Sequence, residues 1–408
     1  MQRTPNLTVA TQTAAEAAYA RGDLPAAIAA YERLDPQALS APLHLHFAHA
    51  LALTGELERA ERLAMDHVSR FGSTAAACSL AAAIAQKRGD HGRCLSLAAV
   101  AEQLEQPGGA ANRLVYAALA HLGALPEAIG ALGRLIAFGA QPSYTEVNDL
   151  CALYGLAGQP DTIPALVARL PPSDARPGEP RLLVAMPKSG GATIAASVAS
   201  RCGAMFTGVG VDLPDWAGFP APWLHPDLLG YFAGRQVMLL SHAAALPRNQ
   251  AALARFPLPI VVHLRDPRDA LVSLFEMGES YGGLQFLRFA RCCPGYALLS
   301  PADRLGVLRE RVYPIYLQWI DSWLQIADRE PGAVTFSTYE AFLEDPEALV
   351  ARLSVRYGAD PGTDAQIHSV HFRQGRSGAH REIFTAAQSR DMFDALPGRA
   401  GERFGWQP

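Results

Sequence analysis

Glycines recur at a nearly constant interval through the first 170 residues of the chain. They stand at Gly22, Gly55, Gly89, Gly123 and Gly158, so that neighbouring glycines lie 33 to 35 residues apart. Each lies in a short turn between apolar residues at helical spacing, where glycine supplies the positive φ that such turns favour. This interval predicts five helix–turn–helix units, each of which buries its apolar face against the next.

Small residues follow three of these glycines at a fixed distance. Ala27, Ala60 and Ala128 each stand five positions beyond a turn glycine, which lets paired helices approach closely. In its period and in this spacing, the segment resembles the tetratricopeptide repeat. The resemblance implies a right-handed superhelix over residues 1–170 whose concave groove binds a peptide. The alternative is an irregular all-α domain in which the spacing is coincidental.

The character of the sequence changes after residues 171–180. This stretch is too rich in proline for a helix interior and predicts a stiff linker. Beyond it, short apolar runs alternate with helical stretches, which is the pattern of a parallel sheet covered by helices. The runs lie at 181–186, 236–240, 259–264 and 333–338. Residues 181–408 are therefore expected to form a separate α/β domain with a central parallel sheet.

Composition and charge argue against several classes of protein. A net charge of −4 gives no global attraction to nucleic acid. No stretch reaches the ~18 uncharged apolar residues of a membrane span, and the N-terminus lacks the apolar core of a signal peptide. The six cysteines show no C-x-x-C spacing, which favours reduced thiols over metal ligation or disulfides. We expect a cytoplasmic protein without a membrane span, a nucleic-acid partner or a metal.

A glycine-containing loop follows the first apolar run. Its residues are Pro187, Lys188, Ser189, Gly190, Gly191, Ala192 and Thr193. Lys188 and Lys87 are the only lysines in a chain that otherwise uses arginine, which indicates that position 188 needs a compact ammonium group. Small residues let backbone N–H groups surround an anion, and the next helix directs its positive dipole end at the same point. The loop predicts a phosphate site, although no Walker A sequence occurs and a tight strand-to-helix turn is the alternative.

A second candidate site follows the run at 259–264. Arg265 comes at the end of that run, where α/β sheets bind ligands. Asp266 and Pro267 suit the start of a helix, and Ser273 lies two turns into it on the same face as Asp269. Arg265 and Ser273 can therefore bind a second phosphate. The alternative is that Arg265 pairs only with Asp266 or Asp269.

A histidine stands at the expected carboxyl end of the run at 236–240. This residue is His242, and with an ordinary pKa near ~6.5 it can accept a proton near neutral pH. His263 and His371 are instead expected to pack or to face solvent. His242 is thus a candidate base, and a purely structural histidine is the alternative.

The two phosphate motifs together resemble the PAPS-dependent sulfotransferases. The shared features are Pro-Lys-Ser-Gly after one strand and Arg-x-Pro-Arg-Asp-x-x-x-Ser after a later one. Tyr339-Glu340 with its downstream Asp345-Pro346 resembles another segment of that family, and residues 371–385 resemble its C-terminal Arg-Lys-Gly-x-x-Gly segment. The resemblance covers about residues 181–400.

This resemblance implies a sulfotransferase fold, which is P-loop-like, and a set of residue roles. The loop 187–193 would hold the 5′-phosphosulfate of 3′-phosphoadenosine-5′-phosphosulfate (PAPS), with Lys188 stabilising the leaving group and Ser189 modulating Lys188. His242 would be the catalytic base. The 3′-phosphate would be bound by Arg265, Ser273, Arg373 and Gly375, with Gln374 in the same segment. No metal is required.

The chain departs from the family at three of these positions. Thr193 replaces the usual tryptophan, so the aromatic platform for adenine is missing there; Tyr313 or Tyr316 is a replacement, with helix packing as the other role. Gln374 stands where the family has lysine, and Leu240 stands two residues before the histidine where many members have lysine. Both changes remove positive charge.

The sequence favours an enzyme that transfers a sulfuryl group from PAPS to a hydroxyl of an acceptor, a peptide, protein or glycan presented by the repeats. Aromatic residues at 206–231 and an insertion at 277–306 are candidate sources of the acceptor pocket. The alternative is an interaction protein whose repeats recruit a partner while a degenerate sulfotransferase domain only binds nucleotide. A P-loop kinase or ATPase is disfavoured by the missing Walker A sequence.

Overall fold

The chain forms two compact units, which span Met1–Ala140 and Gln141–Pro408. The computed structural model describes residues 5–35, 37, 39–104, 110–122, 124–138, 143–213, 221–281, 293, 295–360, 367–368 and 376–408. Among these residues, none of the helices has both the length and the apolar composition that crossing a bilayer requires.

The described part of the first unit is helical. Its helices are α1 (Pro5–Ala20), α2 (Leu24–Tyr31), α3 (Ala41–Thr54), α4 (Leu57–Phe71), α5 (Ala75–Lys87), α6 (His91–Leu104), α7 (Ala110–His121) and α8 (Leu125–Phe138). The turn glycines Gly22, Gly55 and Gly89 all have positive φ, as the repeat predicts, while Gly123 lies outside the described residues. Ala27, Ala60 and Ala128 are fully buried, which confirms close approach of the paired helices.

The fifth predicted repeat belongs to the second compact unit. Its helices are α9 (Tyr144–Leu156) and α10 (Ile163–Val167). A Cβ on Gly155 would lie 2.4 Å from the carbonyl oxygen of Asp212, so glycine lets α9 pack directly on the backbone of the α/β part. The Tyr144 hydroxyl donates to the Gly208 carbonyl at 3.0 Å. This unit therefore begins before the proline-rich stretch, and the linker at 171–180 stays a prediction of the sequence.

Parallel strands form the central sheet of the second unit. The strands are β1 (Arg181–Ala185), β2 (Met205–Gly208), β5 (Val237–Ser241), β6 (Ile260–Leu264) and β7 (Val334–Thr338), with β3 (Val211–Leu213) and β4 (Ala221–Trp223) as a separate hairpin. The sheet order is β2-β5-β1-β6-β7, and all its pairings are parallel. Four of the strands match the predicted apolar runs. β2 was not predicted.

Further helices lie between β1 and β7 and after β7. They are α11 (Gly191–Arg201), α12 (Pro226–Tyr231), α13 (Pro247–Arg255), α14 (Pro267–Tyr281), α15 (Pro301–Val307), α16 (Tyr313–Arg329), α17 (Tyr339–Glu344), α18 (Pro346–Arg356), α19 (His380–Ile383), α20 (Ala386–Asp394) and α21 (Ala400–Phe404).

The strand order places a topological switch at β1. From β1 the chain runs to the β2 and β5 side of the sheet, and from β5 it crosses to β6 and β7 on the other side. Ligands of open α/β sheets bind at the carboxyl ends of strands beside such a switch. The loops after β1 and β6 lie at that position, and both were predicted to bind phosphate.

Candidate functional site

The loop between β1 and α11 has a constrained backbone. Lys188 has a φ of 68°. Among the residues that the structure describes, every other residue with a positive φ is a glycine. Gly190 follows with a φ of 80° and caps α11. A Cβ on Gly191 would lie 2.3 Å from the Cβ of Ala185. The first N–H groups of α11 have no partner within the helix, so this tight turn presents donors at its start.

Ser189 and His263 hold this loop from beneath. The Ser189 hydroxyl donates to the Met186 carbonyl at 2.7 Å. The His263 ring accepts from the Ser337 hydroxyl at Nδ1 and donates from Nε2 to the Ser189 carbonyl, both at 2.8 Å. Burial lowers the pKa of His263 to about 4, so its ring is neutral at pH 7. His263 therefore packs, as expected, and the Ser189 hydroxyl is directed at a carbonyl rather than at Lys188.

The guanidinium group of Arg265 joins three segments. Its Nη1 donates to the Lys188 carbonyl at 3.1 Å and its Nη2 to the Arg376 carbonyl at 2.8 Å. Its central carbon lies 4.3 Å from the centre of the Tyr339 ring, within cation–π distance. Arg265 is only 6% exposed, yet its Nε has no hydrogen-bond partner among the described residues.

The two carboxylates that follow Arg265 in the sequence bind other groups. Asp266 forms a 2.7 Å ion pair with the buried side chain of Arg268. Asp269 accepts hydrogen bonds from the N–H groups of Gly378 and His380 and from the His380 ring. Arg265 therefore binds other partners, and the alternative in which it pairs only with Asp266 or Asp269 is not found. Arg265 is thus a buried cation whose Nε–H has no hydrogen-bond partner among the described residues.

His242 lies at the end of β5, beside the end of β1. Its Nδ1 is 2.7 Å from the Ala185 carbonyl oxygen. A carbonyl can only accept, so Nδ1 carries the hydrogen and, in the neutral ring, Nε2 keeps its lone pair. Trp319 in α16 donates to the His242 carbonyl at 2.9 Å. His242 is thus held with its basic nitrogen turned away from β1, at the edge of the sheet where the Lys188 loop begins.

The Lys188 ammonium group contacts helix α14. Its Nζ lies 3.2 Å from the sulfur of Met277, and a thioether is a weak acceptor. Ser273 is half-buried one turn earlier in the same helix. Sequence reasoning missed Met277, although its spacing of four from Ser273 places both on one helix face.

The structure brings together most of the predicted residues. Loop 187–193 and Arg265 lie at the carboxyl ends of β1 and β6, with His242 at the end of the neighbouring strand β5. Ser273 lies further along α14. Arg373, Gln374 and Gly375 lie outside the described residues, as does His371.

Both tyrosines considered as a platform for adenine are packed in α16. The Tyr313 hydroxyl donates to the Met392 carbonyl at 2.6 Å, and Tyr316 is buried. Thr193 is buried too. None of these three side chains is therefore exposed as a platform on which an adenine ring could stack. In the described part of the chain, no cluster of three or more histidine, cysteine or acidic side chains could hold a metal.

Comparisons with known proteins give distant similarities. No family model matches the chain, and no curated protein does. The thermophilic TPR protein TTC0263 of Thermus thermophilus is 20% identical with a TM-score of 0.33, over 40% of this chain and 88% of its own. MamA is 16% identical with a TM-score of 0.36, over 41% of this chain and 91% of its own. The mouse sulfotransferase SULT7A1 complexed with PAP is 16% identical with a TM-score of 0.39, over 60% of this chain and 87% of its own. At these scores the similarities identify no family.

Proposed function

We propose that the second unit transfers a sulfuryl group from PAPS to a hydroxyl group of an acceptor. The observation that carries this proposal is the hydrogen bond from Arg265 Nη1 to the Lys188 carbonyl at 3.1 Å. It brings the two predicted anion sites, which come from segments 77 residues apart, into direct contact. A nucleotide with phosphate groups at both its 3′ and 5′ positions fits such a pair of sites.

Two features of the described residues fit this nucleotide. The Nε–H group of Arg265 is buried and has no partner within the described ranges, and a phosphate oxygen would satisfy it. Gly191 lies so close to Ala185 that no side chain fits between them, so glycine lets the loop turn tightly from β1 into the start of α11, where backbone N–H groups can bind a phosphate group. Arg265 and Ser273 are thus assigned to the 3′-phosphate, and the loop 187–193 to the 5′-phosphosulfate.

Lys188 is assigned to the leaving group. When bound, PAPS supplies the sulfuryl group, which passes in line to the acceptor oxygen while negative charge grows on the departing phosphate. An ammonium group and the N–H groups at the start of α11 can stabilise that charge without moving far. The ammonium lies 3.2 Å from the sulfur of Met277, on the side of helix α14 that also carries Ser273.

His242 is assigned as the general base. Its Nδ1–H is fixed on the Ala185 carbonyl, so Nε2 is the atom that takes the acceptor hydroxyl proton. General-base action contributes ~10²–10⁴-fold to a rate, which leaves the remaining acceleration to Lys188 and the loop. The acceptor is a peptide, protein or glycan bearing a hydroxyl, and the repeat domain is assigned to hold it.

Transfer of labelled sulfate from PAPS to components of host extract tests this function. The wild type is expected to label an acceptor, and Lys188→Ala and His242→Ala are each expected to abolish labelling. Activity left intact in either variant would remove the assigned roles. Nucleotide binding by the wild type with no labelled acceptor would favour an interaction protein with a degenerate domain.

A further inference from the structure

A buried carboxylate at the start of α14 binds one segment near the C-terminus. Asp269 Oδ1 accepts from the His380 ring Nδ1 at 2.7 Å and from the His380 N–H at 2.9 Å. Its Oδ2 accepts from the Gly378 N–H at 2.6 Å. The side chains of Asp269 and His380 are 0% and 2% exposed. We call this arrangement the Asp269–His380 clamp.

The carboxylate is charged in the folded protein. Burial alone raises the pKa of Asp269, but hydrogen bonds from the His380 ring and from the backbone N–H groups of His380 and Gly378 lower it from 3.8 to about 2. The charge of Arg265 contributes to this lowering of the pKa. Charge-assisted hydrogen bonds are stronger than neutral ones, so the clamp holds residues 378–380 firmly against α14.

The clamp is connected to the guanidinium group of Arg265 through one backbone carbonyl group. Arg376 lies two residues before Gly378, and its carbonyl accepts from Arg265 Nη2 at 2.8 Å. The other carbonyl that orients the guanidinium is that of Lys188, on the loop after β1. By holding Gly378 and His380, the clamp also holds the Arg376 carbonyl, which is one of the two groups that orient the guanidinium. It thereby sets the direction of the Arg265 Nε–H group.

We propose that Asp269 and His380 are positioning residues that aim Arg265 at the 3′-phosphate. This inference rests on the proposed function, because the 3′-phosphate is assigned to Arg265 there. The clamp makes no contact with the loop 187–193 among the hydrogen bonds of Asp269 and His380 in the described residues. Losing it should therefore weaken recognition of the 3′-phosphate much more than recognition of the 5′ side.

Two amide variants at position 380 separate geometry from general damage. In His380→Asn the side-chain N–H stands near the place of Nδ1 and can still donate to Asp269, whereas in His380→Gln the extra methylene moves it away. The dissociation constants of adenosine 3′,5′-bisphosphate and of adenosine 5′-monophosphate are measured by calorimetry. His380→Gln is expected to weaken the bisphosphate about 10-fold or more and the monophosphate less than about 2-fold. His380→Asn should stay within about 3-fold of the wild type for both.

Glu382→Gln is the matched control. It removes the negative charge from the exposed pair between Glu382 and Arg376 at 2.8 Å. It therefore alters the same segment without touching the clamp, and both dissociation constants should be unchanged. Equal weakening of both nucleotides by His380→Gln would mean that the clamp is structural only and would overturn the inference. A wild type that does not prefer the bisphosphate would refute the proposed function, and the inference with it.

Hydrogen exchange in the wild type gives an answer that needs no variant. The amide protons of Gly378 and His380 are those bound by Asp269. The bisphosphate should slow their exchange at least about 5-fold more than the monophosphate does, because only the 3′-phosphate engages Arg265. Equal slowing by both nucleotides would contradict the positioning role.

Discussion

The Nη1 atom of Arg265 donates a hydrogen bond to the backbone carbonyl of Lys188 at 3.1 Å. The guanidinium thereby braces the loop that carries the candidate catalytic ammonium, at a residue whose φ is 68°. Positive φ is unfavourable for residues other than glycine. The bond stabilises this backbone conformation and couples the two proposed anion sites.

Replacing Arg265 tests that coupling. Arg265→Lys keeps a positive charge but cannot contact both carbonyl groups and the Tyr339 ring together. We expect the dissociation constant of adenosine 3′,5′-bisphosphate to rise about 10-fold to 100-fold, because a charge-assisted hydrogen bond to phosphate is lost. Arg376→Ala is the control, because Arg265 binds the backbone carbonyl of Arg376 and this substitution keeps that carbonyl. If calorimetry gives the same affinity for Arg265→Lys and the control, Arg265 does not bind the nucleotide.

Gly191→Ala tests the packing of the loop. The added Cβ would lie 2.3 Å from that of Ala185, so either strand or loop must move, and overpacking of this kind costs about 1–3 kcal/mol. The free energy of unfolding, measured in urea, should fall by that amount. Gly133→Ala in α8 meets no atom within 4 Å of its Cβ and should instead gain up to about 1 kcal/mol. An unchanged Gly191→Ala protein would mean that the loop is not tightly packed on β1.

His242→Asn separates the position of this residue from its basicity. The amide can still donate to the Ala185 carbonyl, which the His242 ring does now at 2.7 Å, but it has no basic nitrogen. Sulfate transfer should fall ~10²–10⁴-fold while the bisphosphate affinity stays within about 2-fold. A transfer rate close to the wild type would show that another group removes the acceptor proton.

The buried ring of His263 makes stability depend on pH. Its pKa is lowered from 6.5 in the unfolded chain to about 4 by burial, so the unfolded state binds the proton first as pH falls. The stabilisation is complete above about pH 6.5 and is lost progressively towards pH 4, by about 3 kcal/mol in all. The free energy of unfolding of His263→Asn should show a shallower slope across this range. Parallel curves for variant and wild type would contradict a neutral buried His263.

Local patterns in the sequence were enough to predict much of the fold. Continuous apolar runs predicted β1, β5, β6 and β7 because strands of a parallel sheet are buried on both faces. β2 at Met205–Gly208 is a half-buried edge strand, so its residues carry no such run. The repeat spacing predicted α9 and α10, but a period cannot reveal that Gly155 packs on Asp212, since that contact is set by tertiary structure.

The candidate site was likewise predicted from local patterns only in part. Loop geometry and strand ends predicted Lys188, Arg265 and His242, because the carboxyl ends of parallel strands meet at one edge. The role of Asp269 was not predicted, since its partner His380 lies 111 residues away and no local pattern joins them. The departures at Thr193 and Leu240 were visible in the sequence, yet their consequences for adenine and phosphate binding depend on residues that neither motif contains.

Nucleotide preference tests the central claim most directly. The melting temperature of the full chain is measured with saturating adenosine 3′,5′-bisphosphate and, separately, with ATP. A ligand that binds only the native state at 100 times its dissociation constant stabilises it by about 2.7 kcal/mol, which is a shift of several degrees for a domain of this size. The account predicts a clear rise with the bisphosphate and little with ATP. A larger rise with ATP, or none with the bisphosphate, would contradict it.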